Sequence, residues 1–361
     1  MAKARRVAAV AVVLLIVGLV VHSSITATGE PCAVQPSSDN TGIALGSGYT
    51  AMSDAEMDRT VEAIRSSGSH WVRFDIDWSA IESTEGTFDW SGTDRLVDIA
   101  KSSGLEILGL ITYTPAWARD PAATSPDTHT RPADPDAFGR FAALAAARYS
   151  NSISSWEIWN EPNLQTFFNP TPDPEYYSKL LAASSVAIEA VQPGATIVSG
   201  GLSPATDNGA DISPTTFLAN IYEYGAGQHF DVVGMHPYTY PALPSDPLTR
   251  NWNSFYRMRL MHDTMVSNGD STKSIWATEF GAPTGTGLDA VTESMQAEIL
   301  RDGFNEARSL GFVQKVFVYS LQDRGSDPGD REQNFGLLDL DFEPKPAMAV
   351  LQDANETGGC L

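Results

Sequence analysis

The sequence predicts an α/β protein built as a single (β/α)8 TIM barrel. Three observations carry that expectation. Eight apolar, strand-like runs are separated by amphipathic helical stretches. The runs are apolar throughout rather than alternating, as in parallel strands covered on both faces. The chain has 361 residues, and the roughly 320 that follow its N-terminal leader and linker suit one core closed by eight strand–helix units.

The strand candidates are 42–45, 71–76, 105–111, 153–158, 196–199, 231–235, 274–278 and 315–319. Helical patterns lie between them at 55–65, 94–101, 136–149, 176–191, 214–224, 252–266, 293–309 and 346–353. In the first of these, Met57, Val61 and Ile64 fall on one helix face. Glycines such as Gly68 and Gly311 stand just past helix ends, where a left-handed cap is easiest without a Cβ. An open doubly wound sheet is the alternative. It calls for a glycine-rich phosphate turn after the first strand, and GIALGSG at 42–48 opens no helix in a G-x-G-x-x-G pattern.

The N-terminus reads as a targeting segment. Lys3, Arg5 and Arg6 precede an apolar run of 15 residues, Val7 to Val21, ended by His22-Ser23-Ser24. The run is short for a membrane span, which needs about 20 residues. Residues 1–27 are therefore expected to be a signal peptide, with an N-terminal anchor as the rival. Residues 28–40 read as a linker and 41–361 as the barrel. The expected location is secreted, extracellular or cell-envelope, with membrane contact only if the leader stays uncleaved. Cys32 and Cys360 are the only cysteines, and an even count in an exported chain points to a disulfide between them. The formal net charge of −22 excludes nucleic acid as a partner, since phosphate binding needs clustered Lys and Arg.

Two segments carry the chemistry. WEIWNEPN at 156–163 and SIWATEFG at 274–281 each read as a buried strand running into a glutamate, Glu161 or Glu279. The C-terminal ends of barrel strands are where chemistry meets solvent. Two carboxylates on different strands are what glycosidic-bond cleavage requires. Asn160 precedes Glu161, and a polar pair at a strand end suggests a bulge that turns both side chains toward the pocket. Aromatic residues fall on the same rim at Trp78, Tyr113, Trp117 and Trp159, where rings stack on the C–H faces of sugars.

WNEPN after the fourth strand and TEFG after the seventh resemble the acid/base and nucleophile motifs of clan A retaining glycoside hydrolases. The nearest sub-pattern is similar to glycoside hydrolase family 39 and its bacterial relatives. Supporting segments are VRFDIDW at 72–78, ITYTPAWA at 111–118, GMHPYTY at 234–240, VYSLQD at 318–323 and NFGLLD–PKPA at 334–347. The resemblance spans 42 to about 350 and implies roles residue by residue. Glu279 would be the nucleophile and Glu161 the general acid and then base. Tyr238 would hold Glu279 by a hydrogen bond, His236 would line the rim, and Arg73 would keep Glu279 charged. Asn160 would bond a sugar hydroxyl. Read without the resemblance, Arg73 could pair with Asp75 or Asp77, and Glu157 is expected to be a structural partner. One departure stands out: many clan members carry a tryptophan on the eighth strand, whereas this strand reads KVFVYSLQD, so Phe317 or Tyr319 would take its place.

Other chemistries lack their signatures. No H-x-H or H-E-x-x-H is present for zinc, no G-x-S-x-G for a serine hydrolase and no P-loop for phosphate. The expectation is thus a retaining glycosidase acting on an oligo- or polysaccharide without cofactor or metal. A transglycosidase on the same site, or a non-catalytic carbohydrate-binding barrel, are the alternatives.

Overall fold

The structure, a computed structural model, describes residues 40–356. The leader, the linker up to residue 39, and both Cys32 and Cys360 lie outside the described residues. Among the described residues, no helix is long and apolar enough to cross a membrane.

Eight parallel strands close into a barrel in chain order. They are β1 (Thr41–Gly46), β2 (Trp71–Asp77), β3 (Glu106–Thr112), β4 (Ser155–Asn160), β5 (Thr196–Gly201), β6 (Val232–Met235), β7 (Ser274–Phe280) and β8 (Val313–Val318). Each coincides with an expected apolar run to within a few residues. Pairing of β1 with β8 completes the ring. The helices are α1 (Asp54–Ser66), α2 (Trp78–Ile81), α3 (Ser91–Ser102), α4 (Pro135–Arg148), α5 (Pro174–Val191), α6 (Pro214–Glu223), α7 (Ser254–Ser267), α8 (Glu293–Leu310) and α9 (Pro346–Glu356). Proline in the first turn of α4, α5 and α6, each behind an Asp or Ser cap, fixes where those helices begin. Gly311 ends α8 in the left-handed region, at φ 69°.

Two helix boundaries depart from expectation. The four-residue α2 follows β2 directly, because the Asp77 carboxylate accepts from the backbone N–H groups of Ser79 and Ala80 and caps it. The helix expected from Trp252 begins at Ser254, since Asn253 is its cap; Trp252 lies in the preceding turn.

The barrel interior is layered. Ala44, Leu108, Val198, Val232, Trp276 and Phe317, all strand residues, form a buried apolar plug of their own, distinct from the larger core between strands and helices. Trp71 packs edge-on against Trp276 and Phe317 within it. Above the plug the interior turns polar. Arg73, Glu157 and Thr278, from β2, β4 and β7, are fully or almost fully buried. That polar layer supports the rim where the two glutamates stand.

Candidate active site

Glu161 and Glu279 reach the same cleft by different backbone devices. In β7 the pairing with β8 advances three residues from Ala277 to Phe280 against two from Val316 to Val318. This bulge lets the consecutive Thr278 and Glu279 both serve the barrel interior. In β4 the register with β5 stays even, Ile158 to Ser199 and Asn160 to Gly201, so the bulge expected at Asn160–Glu161 is absent. Instead Trp159 and Glu161 adopt left-handed conformations, φ 69° and 47°. A bulky residue there is strained and persists only if its surroundings hold it. Trp159 is held: its ring is fully buried against Phe138 and Phe168, and its Nε1–H donates to the Phe167 carbonyl at 2.7 Å. Beyond Glu161, buried Asn163 donates to the carbonyls of Ser203 and Ile212 and accepts from the Ser203 N–H. It pins the β4 loop to the β5 loop.

The hydrogen bonds at the rim form one network. Arg73 spends its nitrogens on three partners: Nε on Glu157 at 2.5 Å, Nη1 on Glu279 at 2.7 Å and Nη2 on Asn160 Oδ1 at 2.9 Å. It therefore pairs with neither Asp75 nor Asp77 by hydrogen bond. The second Glu157 oxygen accepts from Thr278 Oγ1 and the Gly201 N–H, both at 2.9 Å. Glu279 Oε2 accepts from the Tyr238 hydroxyl at 2.8 Å. His236 Nδ1 lies 2.8 Å from Glu161 Oε1 and 3.7 Å from Glu279 Oε2. A Cβ on Gly201 would stand 2.1 Å from the His236 ring, so β5 must end in glycine for the imidazole to fit.

The charges follow from that network. Burial alone would raise the Glu279 carboxyl, but His236, the Arg73 guanidinium and the Tyr238 hydroxyl more than offset it and hold the group below its ordinary range. Burial lowers His236, and the neighbouring Glu279 and Glu161 overcome this and hold it above its ordinary value, while Nδ1 shares a hydrogen bond with Glu161. Burial and the Glu279 charge push Tyr238 well up, keeping it a phenol donor. Asp75, one step above Arg73 on the same strand face, is pushed up to about 7 by burial, Asp77 and Glu279 against the pull of Arg73.

The cleft has a volume of about 860 Å³ and is lined by Asn160, Glu161, Glu279, Tyr238 and Tyr113 among others. Tyr319 lines it, whereas Phe317 is buried in the plug, so of the two candidates on β8 only Tyr319 faces the cleft. Three of the four expected rim aromatics lie elsewhere. Trp78 is buried, stacked on Phe141 with its Nε1–H donating to Glu82, because α2 turns it into the helix layer. Trp117 is exposed, as its loop suggested, but packs edge-on to Trp78 outside the cleft lining. Trp159 supports Tyr113 from behind rather than meeting solvent. His236 lies buried beneath the glutamates rather than along the cleft wall. Sequence reasoning missed Asp75, Arg324, Trp252 and Phe335, all of which line the cleft. Of these, only Asp75 carried a legible signal, its period-two spacing from Arg73.

The structure of a family 39 glycoside hydrolase from Bacteroides cellulosilyticus WH2 superposes with a TM-score of 0.69 at 24% identity, covering 89% of this chain and 65% of that one. The family 39 enzyme from Xanthomonas axonopodis pv. citri gives 0.67 at 18% identity, covering 88% and 66%. A monomeric β-xylosidase from Caulobacter crescentus CB15 gives 0.63 at 17%, covering 87% and 68%. This barrel is the one they share. The expected resemblance to clan A glycoside hydrolases is thereby borne out for the fold, at identities too low to carry more. The chain spans just under two thirds of the length of the first two neighbours, 65% and 66%. No family model matches the chain.

Proposed function

We propose that this protein is a retaining glycoside hydrolase that cleaves the O-glycosidic bonds of an oligo- or polysaccharide by double displacement. One observation carries the reading. An oxygen of Glu161, an oxygen of Glu279 and a ring nitrogen of His236 all lie within 4.8 Å of one another. So close an approach of single oxygens favours the carboxyl separation of about 5–5.5 Å that lets a nucleophile touch the anomeric carbon over the roughly 6.5–9.5 Å by which an inverting pair admits water.

The roles divide by environment. Glu279, kept ionised by Arg73, His236 and Tyr238, attacks the anomeric carbon. Its oxygen forms the glycosyl ester as the glycosidic C–O bond breaks, and the Glu161 carboxyl passes its proton to the departing oxygen. Water then adds to the same carbon. Glu161 accepts its proton, and Glu279 leaves as the carboxylate. Asn160, fixed by Arg73, offers its amide N–H₂ to the sugar hydroxyl beside the reacting carbon. The basic start and apolar run of residues 1–27 support export as the setting.

The test is a screen of the purified protein on aryl β-glycosides and defined polysaccharides, counting reducing ends. It should find cleavage by the wild type and none by Glu279→Ala. Cleavage of equal rate by that variant would sink the reading.

A further inference from the structure

Trp252 is 43% exposed, yet it lines the cleft that contains both glutamates. It stands in the turn before α7, and that turn is built rigidly. Fully buried Asn253 donates to the carbonyls of Leu243 and Pro244 and to Thr249 Oγ1, while its Oδ1 caps the helix at the Phe255 N–H. The Trp252 N–H is itself tied to the Thr249 carbonyl at 2.9 Å. A large aromatic ring is thus presented to the cleft, partly open to solvent, on a hydrogen-bonded support. Tyr240 continues the aromatic surface inward, packing on Tyr238, which touches Glu279.

The cleft is also larger than one sugar needs. At about 860 Å³ it lies near the top of the roughly 300–1,000 Å³ typical of ligand clefts. Its cations are already engaged. Arg324 donates to the carbonyls of Leu45 and Ser47, and Arg331 donates to Glu332 and lies 3.7 Å from Asp289. Carboxylates outnumber them along the wall, which disfavours uronic or sulfated chains.

Resting on the glycosidase reading, we infer that Trp252 is the stacking platform of a distal sugar subsite, and that the cleft takes a neutral glycan chain of several residues. A sugar's C–H face lies on the indole while its hydroxyls stay wet.

Affinity electrophoresis of the full chain on the Glu279→Gln background, in gels carrying xylan, β-mannan, mixed-linkage β-glucan or arabinan, tests this. At least one polymer should retard the protein. Trp252→Ala should weaken that retardation about tenfold, and Trp252→Phe should keep most of it. No retardation by any polymer, or equal retardation of Trp252→Ala, overturns the subsite. Cleavage by the wild-type chain is scored separately. Retardation lost in Trp252→Ala without any wild-type cleavage upholds the subsite and removes the hydrolase reading. Cleavage with retardation unchanged in Trp252→Ala does the reverse.

Discussion

Glu279 is held by donors from two other strands or their loops, Arg73 and Tyr238, and sits 3.7 Å from His236 Nδ1. Glu279→Ala should therefore abolish turnover while the fold survives, and azide should restore some activity with a product of inverted configuration. Glu157 is a different kind of carboxylate. It is fully buried beneath the site and paired with Arg73. Removing one partner of a buried pair leaves a charge short of compensation, so Glu157→Ala should cost about 3 kcal/mol in chemical denaturation. A loss below about 1 kcal/mol, the range of an exposed pair, would show that Glu157 carries no such load. Asp75 makes a pH test. Its folded-state carboxyl is raised to about 7, above the roughly 3.9 of an unfolded chain. The folded protein binds that proton more tightly, so the stabilisation is full below about pH 4 and is lost as the pH rises through about 7. Asp75→Asn should raise Tm relative to wild type more at about pH 8 than at about pH 4. An equal shift at both pH values would contradict this. The paired glutamates were legible because each stands at the end of an apolar run, and Arg73, Tyr238 and His236 because they fall in segments that resemble those of clan A glycoside hydrolases. Asp75 showed only its period-two spacing from Arg73, and Trp252 showed nothing, since no local signal separates a cleft-facing Trp from one in the core.

At the scale of elements, what positions Glu161 is the clamp between the β4 and β5 loops. Asn163, the last residue of WNEPN, makes that clamp with three hydrogen bonds while fully buried. Asn163→Ala should lower stability by about 2 kcal/mol through unsatisfied buried groups. It should also lower kcat/KM at least tenfold, because a carboxyl displaced by even about 1 Å loses much of its rate. Full activity in a destabilised Asn163→Ala would separate the clamp from the chemistry. The strands were legible as apolar runs bounded by glycine and polar turns, and all eight stand where those runs fall. The devices at their ends were less so. A bulge was expected in β4 and occurs in β7, because period-two reasoning registers an irregularity without telling a bulge from a pair of left-handed residues. Trp78 was misplaced for a similar reason: Asp77 starts a helix one residue after β2, and that single turn carries the ring from rim to core.

At the scale of the molecule, the barrel brings residues far apart in the chain to one cleft. Glu161 stands just past β4 and Glu279 near the end of β7, β2 sends Arg73 to Glu157, Glu279 and Asn160, and the loop after β6 supplies His236 and Tyr238. The apolar plug below and the buried Arg73–Glu157 layer leave these groups little freedom to reorganise, which is how a site keeps its geometry through a reaction. Closure of eight strands was legible from their count; the cleft's reach was not, because it depends on where long loops fold back. In the proposed mechanism Glu279 bonds to the sugar before water arrives. Proton NMR of the first-formed product from wild-type cleavage of an aryl β-glycoside tests it directly. Retention of the β-configuration, decaying later to the anomeric equilibrium, is the predicted result. A first-formed α-anomer would contradict double displacement and, with it, the division of roles between Glu161 and Glu279.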